Sequence, residues 1–190
     1  VYDVRLLPQH GRGVQVIYRP EKERSLFTIG GIESFAEAAS RSSRKATTKI
    51  ITFKEIKCDK AISLITGFDV GEDLYYIERV RYLGKQAVIY DTNIFLISEA
   101  KGLTEDIARD SIYRYPEDTL GMTITTSRRR VTAELATERD HELLDLGHFD
   151  FVLTVVGQVF NSCGVMLEYT RSRHVPDQVC FAETAVRQKV

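Results

Sequence analysis

The sequence predicts an α+β fold, an antiparallel sheet with helical insertions, preceded by a small β-hairpin. Three observations lead there. Residues 73–83 and 86–96 are two long strand-forming runs separated only by Gly84-Lys85, a hairpin connection. Further strand-like runs at 151–159, 165–174 and 178–186 close the chain, the first two joined through Asn161-Ser162-Cys163-Gly164. Between these groups, Asp59, Thr104 and Thr137 each offer a side-chain oxygen at the start of a short helix-forming segment.

The elements follow in chain order. Residues 1–7 and 14–17 are short strands around Pro8-Gln9-His10-Gly11-Arg12-Gly13, whose glycines permit a hairpin turn. Arg5, Arg12 and Arg19 face a single aspartate, Asp3, in this stretch. A lone hairpin buries too little surface to be stable, so residues 1–18 are expected to be the last piece of a larger unit. Arg19-Pro20-Glu21-Lys22-Glu23-Arg24 opens a linker over 19–30, and the main domain is placed at 31–190. Gly30-Gly31 leads into a short helix, and residues 40–45 form a basic loop. Residues 47–57 alternate loosely, as a half-buried strand does. Asp59 caps a helix through Leu64 that ends before Gly67. Thr104-Glu105-Asp106-Ile107 supplies a cap and first-turn acids for the next helix. A helical piece at 111–120 contains Pro116, where a break or kink is expected. Residues 122–135 form a strand, and Thr137-Glu138-Arg139-Asp140 starts a helix through Leu146, halted near Gly147.

Composition narrows the class. A chain of 190 residues builds one good core, or one core with a small appendage. Hydrophobic residues at 43% and charged residues at 28% are an ordinary globular mixture. No apolar run approaches the ~20 residues of a membrane span, and no basic start leads into a hydrophobic leader. A cytoplasmic location without membrane contact is therefore expected. Cys58, Cys163 and Cys180 are widely separated and lack metal-ligand spacing, so free thiols in a reducing compartment and no bound metal are expected. A net charge of −1 lacks the basic excess of a self-sufficient DNA-binding module.

Candidate chemistry lies on the strands. Side chains alternate with a period of two, so Arg79 and Arg81 share one face. Their forks suit a planar anion or sugar hydroxyls, and they equally suit carboxylate partners on a solvated face. Asp91 on the next strand is such a partner, or a hydroxyl acceptor. Alternation splits Arg128-Arg129-Arg130, leaving Arg128 and Arg130 together as a solvated stripe. Glu168, Thr170, Ser172 and His174 line one face of the densest polar strand, with Tyr169, Arg171 and Arg173 on the other. Ser172, His174 and Asp177 could be nominated as a triad, but neither a strained nucleophile elbow nor an oxyanion hole is visible. No metal motif, P-loop or dinucleotide fingerprint occurs, and no cofactor is expected. Gly30-Gly31 before a helix start can present backbone N–H groups to an anion, with Ser34 adding a hydroxyl, or can be an ordinary loop.

Arg79-Val80-Arg81 with Asp91-Thr92-Asn93-Ile94-Phe95, then Ser111-Ile112-Tyr113, then Glu168-Tyr169-Thr170-Arg171-Ser172-Arg173-His174-Val175-Pro176-Asp177, resembles the UTRA effector domain of GntR/HutC-type bacterial repressors. The resemblance runs from about Gly31 to the end of the chain and implies the chorismate-lyase-like fold. The opening hairpin resembles the wing of a winged helix-turn-helix domain, with the recognition helix missing from this sequence. Operator DNA would then be reached only through that missing N-terminal domain, and the intact repressor would be a homodimer. Asp110-Ser111-Ile112-Tyr113-Arg114-Tyr115, Tyr169-Thr170-Arg171-Ser172-Arg173-His174 and Ala185-Val186-Arg187 resemble the trehalose-responsive branch, which implies a sugar-phosphate effector, trehalose 6-phosphate. In this family Ser34, Phe35 and Ala36 would hold the phosphate. Arg79 and Arg81 would bind phosphate or sugar oxygens, and Asp91, Ser111, Tyr113, Glu168 and His174 would read sugar hydroxyls. The shared fold also allows a chorismate-lyase-like enzyme, though hydroxyl and charged groups suit a sugar phosphate better than an aromatic acid. No catalytic residue is expected.

Overall fold

The computed structural model describes residues 5–9, 13–17, 25–28, 32, 35, 44–110 and 112–182. Strands β1 (Arg5–Gln9) and β2 (Gly13–Ile17) pair antiparallel, forming the expected hairpin. β3 (Ser25–Thr28) falls inside the stretch expected to be linker and pairs in parallel with β10 (Val179–Ala182). Its partner lies some 150 positions away in sequence, so no local pattern marks it.

The main sheet has six antiparallel strands in the order β4-β5-β6-β9-β8-β7. They are β4 (Ala46–Lys57), β5 (Asp73–Leu83), β6 (Gln86–Leu96), β7 (Ile124–Leu135), β8 (Phe151–Asn161) and β9 (Met166–His174). The α+β class and the bounds of β5 and β6 agree with the sequence reading. Gly84, with φ 63°, takes the first position of the two-residue β5–β6 turn, as a primed hairpin turn requires.

Helix α1 (Lys60–Thr66) is fixed at both ends. The Asp59 carboxylate accepts from the Ile62 N–H at 2.8 Å, and Gly67 closes the helix in the left-handed region with φ 88°. Ile62 and Phe68 pack with Leu74, Ile94, Leu96 and Tyr169 on the back of the sheet. Helix α2 (Glu105–Arg109) begins at Thr104 as expected. Ala108 and the flanking Leu103 and Ile112 cover Tyr75, Ile77, Phe95 and Val159 at one end of the front face.

Two helices differ from expectation. The 111–120 segment contributes one π-helical turn, Tyr115–Thr119, closed by Leu120 N–H to the Tyr115 carbonyl at 3.3 Å. Pro116 sits in the first turn of this segment, where its missing N–H costs no ladder bond, so the helical turn begins there. Helix α3 (Glu138–Leu143) ends three residues earlier than expected, because Leu144 is already extended. Its start is a capping box: the Thr137 hydroxyl accepts from the Asp140 N–H, and the Asp140 carboxylate accepts from the Thr137 N–H at 2.7 Å. Leu144 and Leu146 beyond it seal Val80, Tyr90, Val152 and Val175 on the back face. Among the described residues, the back is thus covered over the middle strands, α2 and its flanks cover one end of the front, and Phe35, Val179 and Phe181 pack with Leu83, Val88 and Ile89 at the other.

Gly67 tests how tightly the back layer is held. A side chain there would meet Gln158 Nε2 at 3.0 Å as well as the left-handed backbone. Gly67→Ala is expected to lower stability by more than about 1 kcal/mol in urea denaturation, with little change in the slope of the transition.

Candidate ligand-binding site

Between the two apolar clusters of the front face lies a cavity, and the sheet register builds its floor. One cross-strand row contains Arg79, Asp91, Ser172 and Val155; the next contains Asn93, Thr170, Gly157 and Arg129. Glu168 and Ser127 lie one row further, and His174 lies on the other side of Ser172. Ile32, Phe35, Asp110, Ile112, Tyr113 and Phe181 complete the lining from outside the sheet.

The polar groups are buried, and they are paired. Arg79, 3% exposed, donates from Nε and Nη2 to Asn93 Oδ1 at 3.1 and 2.7 Å, and from Nη1 to the Ala108 carbonyl at 3.0 Å. Asn93 passes the network on, donating to Glu168 Oε1 at 2.7 Å and to the Thr170 hydroxyl at 3.0 Å. The Tyr113 hydroxyl donates to Glu168 Oε2 at 2.6 Å. Arg81 donates from Nε to Asp91 Oδ2 at 2.9 Å and from Nη1 to the Thr48 hydroxyl at 2.7 Å. Among the described residues its Nη2 has no hydrogen-bond partner. The Arg81 guanidinium also lies over the Phe35 ring, 5.4 Å from the centroid.

Burial shapes the protonation of five of these groups. It pulls the Arg79 guanidinium down to about 9, with the like charge of Arg81 adding to the effect, and Arg79 remains a cation at neutral pH. Burial would raise the Asp91 carboxyl, but Arg81, Arg79 and the Ser172 hydroxyl hold it below its ordinary value. Glu168 is raised by burial despite the bonds from Tyr113 and Asn93. Tyr113 is held far above a free phenol by burial and by the facing Glu168. His174 is brought down to about 4 by burial, so its imidazole is neutral at pH 7, edge-on to Phe181 at 5.5 Å.

The structure therefore brings Phe35, Arg79, Arg81, Asp91, Tyr113, Glu168 and His174 to one cavity. Ser34, Ala36 and Ser111 lie outside the described residues. The alternative of a solvated arginine face on β5 is corrected: both guanidinium groups are buried beneath the cavity. Arg128 and Arg130 are exposed, as the stripe reading expects, but Arg129 between them lines the cavity and was not anticipated. Asn93 was also missed, although it stands two residues after Asp91 and the same alternation places it on the same face. Ser172 and His174 line the cavity, whereas Asp177 does not, so the triad finds no geometry here. No cluster of metal-ligating side chains occurs among the described residues.

The sheet topology and a cavity lined by paired charges suit a small polar ligand, and residues 41–179 match the UTRA domain. The chain belongs to the UTRA family, the effector-binding domains of GntR-type transcription regulators. It is 31% identical over 179 residues to the HTH-type transcriptional regulator TreR of Bacillus subtilis (strain 168), covering 94% of this chain and 74% of the relative. It is 23% identical over 145 residues to GmuR of the same organism, spanning 61% of that relative. Among solved structures, the effector-binding domain of the B. subtilis trehalose repressor matches with a TM-score of 0.68 and 31% identity, over 75% of this chain and 99% of that one. PhnF from Mycobacterium smegmatis shares the fold with a TM-score of 0.74 at 21% identity, over 97% of this chain and 79% of that one.

The depressed His174 pKa makes a stability prediction. The unfolded chain takes up a proton near pH 6.5, the folded chain only near pH 4, so stability present above pH 6.5 is lost as pH falls between these values. His174→Gln is expected to remove this component, worth ~3 kcal/mol across the window. The check is urea unfolding of both proteins at pH 7.5 and pH 4.5, comparing the change in free energy.

Proposed function

We propose that this chain is the ligand-sensing and dimerisation part of a GntR-family repressor, and that its effector is a sugar phosphate, trehalose 6-phosphate. The observation that carries this is the buried Arg79–Arg81–Asp91 cluster at the floor of the cavity, with an Arg81 donor left over among the described residues. Charge-assisted donors in a poorly solvated site suit an anionic oxygen. The surrounding acceptors and hydroxyls, Asp91, Glu168, Thr170, Ser172 and Tyr113, suit sugar hydroxyls rather than an aromatic ring. Similarity to the trehalose repressor supports the sugar. Phosphate contacts from Ser34 and Ala36, and a sugar contact from Ser111, belong to this proposal.

Signal transfer has a physical route in it. Phe35 and Phe181 line the cavity, and both pack with Val179, Leu83, Val88 and Ile89. Phe181 is on β10, which pairs with β3, and β3 follows the β1–β2 hairpin by seven residues. Ligand seated against Phe35 and Phe181 would favour one placement of β3, and through it one placement of a preceding DNA-binding domain. A homodimer follows from the two-fold symmetry of paired operator half-sites. Val131 and Leu135, exposed on the edge strand β7, are available to such an interface.

A thermal-shift screen of phosphorylated mono- and disaccharides tests the effector. Trehalose 6-phosphate at about 100 times its Kd should stabilise the fold by ~2.7 kcal/mol. No shift with any phosphorylated sugar would leave only a dimerisation module. In calorimetry, Arg81→Ala is expected to weaken effector binding by at least about 2 kcal/mol, the cost of a lost charged hydrogen bond in a desolvated site. Unchanged affinity would show that the guanidinium faces no ligand.

A further inference from the structure

Arg129 enters the cavity from the side opposite the Arg79–Arg81 cluster. It stands on β7, at the edge of the sheet, while the cluster stands on β5. Four interstrand steps separate the two strands, about 19 Å of backbone before side chains reach inward. Its neighbours Arg128 and Arg130 are exposed on the other face, whereas Arg129 is half-buried and lines the cavity with Ser127.

Gly157 explains how an edge-strand arginine comes to lie there. In the row Asn93–Thr170–Gly157–Arg129, the glycine is the strand position directly beside Arg129. A Cβ at Gly157 would lie 3.0 Å from Thr170 Cγ2 and 3.5 Å from Arg129 Cγ. Its φ is not in the positive region, so the backbone does not require glycine. What the missing side chain provides is space, and the Arg129 stem lies against it, with Thr170 on its other side. Glycine inside a strand weakens the sheet and often marks a close approach to a ligand.

We propose that Arg129, with Ser127 and Thr170, forms a second polar subsite that reads the unphosphorylated ring of a disaccharide phosphate, so that the cavity selects two-ring over one-ring sugar phosphates. This rests on the sugar-phosphate reading above and adds the residue that sets ligand length. A guanidinium carries five N–H donors, so it can serve a ring hydroxyl while keeping a protein partner. With the anionic end held at Arg81, a single ring stops over the middle strands, β6 and β9. A second ring extends over Gly157 to the fork on β7.

The test is calorimetry of the full chain with trehalose 6-phosphate and with glucose 6-phosphate. Arg129→Ala is expected to weaken the disaccharide phosphate at least tenfold and the monosaccharide phosphate less than twofold. Arg129→Gln keeps the buried stem, guards against misfolding and should show the same selective loss. Arg128→Ala removes an equal charge from the opposite face and should change neither affinity. Equal losses for both ligands in the Arg129 variants would mean that only the charge matters, and would overturn the proposal, as would an unchanged disaccharide affinity. Failure of the unsubstituted chain to bind either sugar phosphate would sink the effector reading itself, and this inference with it.

Discussion

The site depends on a requirement that buried charges be paired. Arg79, Arg81, Asp91 and Glu168 all lie in the sheet floor, and leaving any one of them unpaired there would cost several kcal/mol. Asn93 is the joint that meets this requirement, since its carbonyl oxygen takes both Arg79 donors and its amide serves Glu168 and Thr170. The Ala108 carbonyl takes the remaining Arg79 fork, tying α2 to the floor. Arg79 is therefore mostly committed to the protein, while Arg81, which lines the cavity, has one nitrogen without a hydrogen-bond partner among the described residues. Such pairs add little net stability, so their value is positional: the groups proposed to meet a ligand are already held in place by the protein.

The same sheet shows why the cavity lies where it does. On the back, α1, α3 and the segments after them bury Leu74, Val80, Ile94 and Val152, so apolar packing fills that face over the middle strands. On the front, apolar residues from α2 and its flanks cover one end, and Phe35, Val179 and Phe181 pack at the other. The polar rows lie between the two. A sheet paired across six strands and packed on its back is a stiff support, and the side chains it carries cannot relax far from a ligand or toward one.

Much of the fold was legible because its signals are local. The β5–β6 hairpin, the Asp59, Thr104 and Thr137 caps and the Gly67 stop are each fixed by residues within a few positions. β3 was not legible, because parallel pairing with β10 leaves no mark in its own four residues. Alternation put Arg79 with Arg81 and Glu168 with His174, but it gives parity and not depth. It could not distinguish a solvated charged face from a buried one until neighbouring strands and α2 were in place. Arg129 shows the same gap more sharply: alternation separated it from Arg128 and Arg130, and only the β7–β8 register, with Gly157 opposite, decides which of the two sets faces inward.

The stiffness of the floor also constrains how a ligand can switch this domain. A ligand shifts a conformational equilibrium only by its difference in affinity between the two states. Contacts with Arg79, Asp91, Asn93 and Glu168 are the same in both if the sheet does not move, so they contribute affinity and no switching. The difference must come from groups on elements outside the six-stranded sheet, and Phe35, Tyr113 and Phe181 are the described aromatic groups that touch the cavity from there. Phe181 belongs to β10, whose strand partner is β3. On the proposed reading, affinity and response would be carried by different parts of one cavity: charged groups in the sheet would hold the ligand, and aromatic groups at its margin would register that it is there.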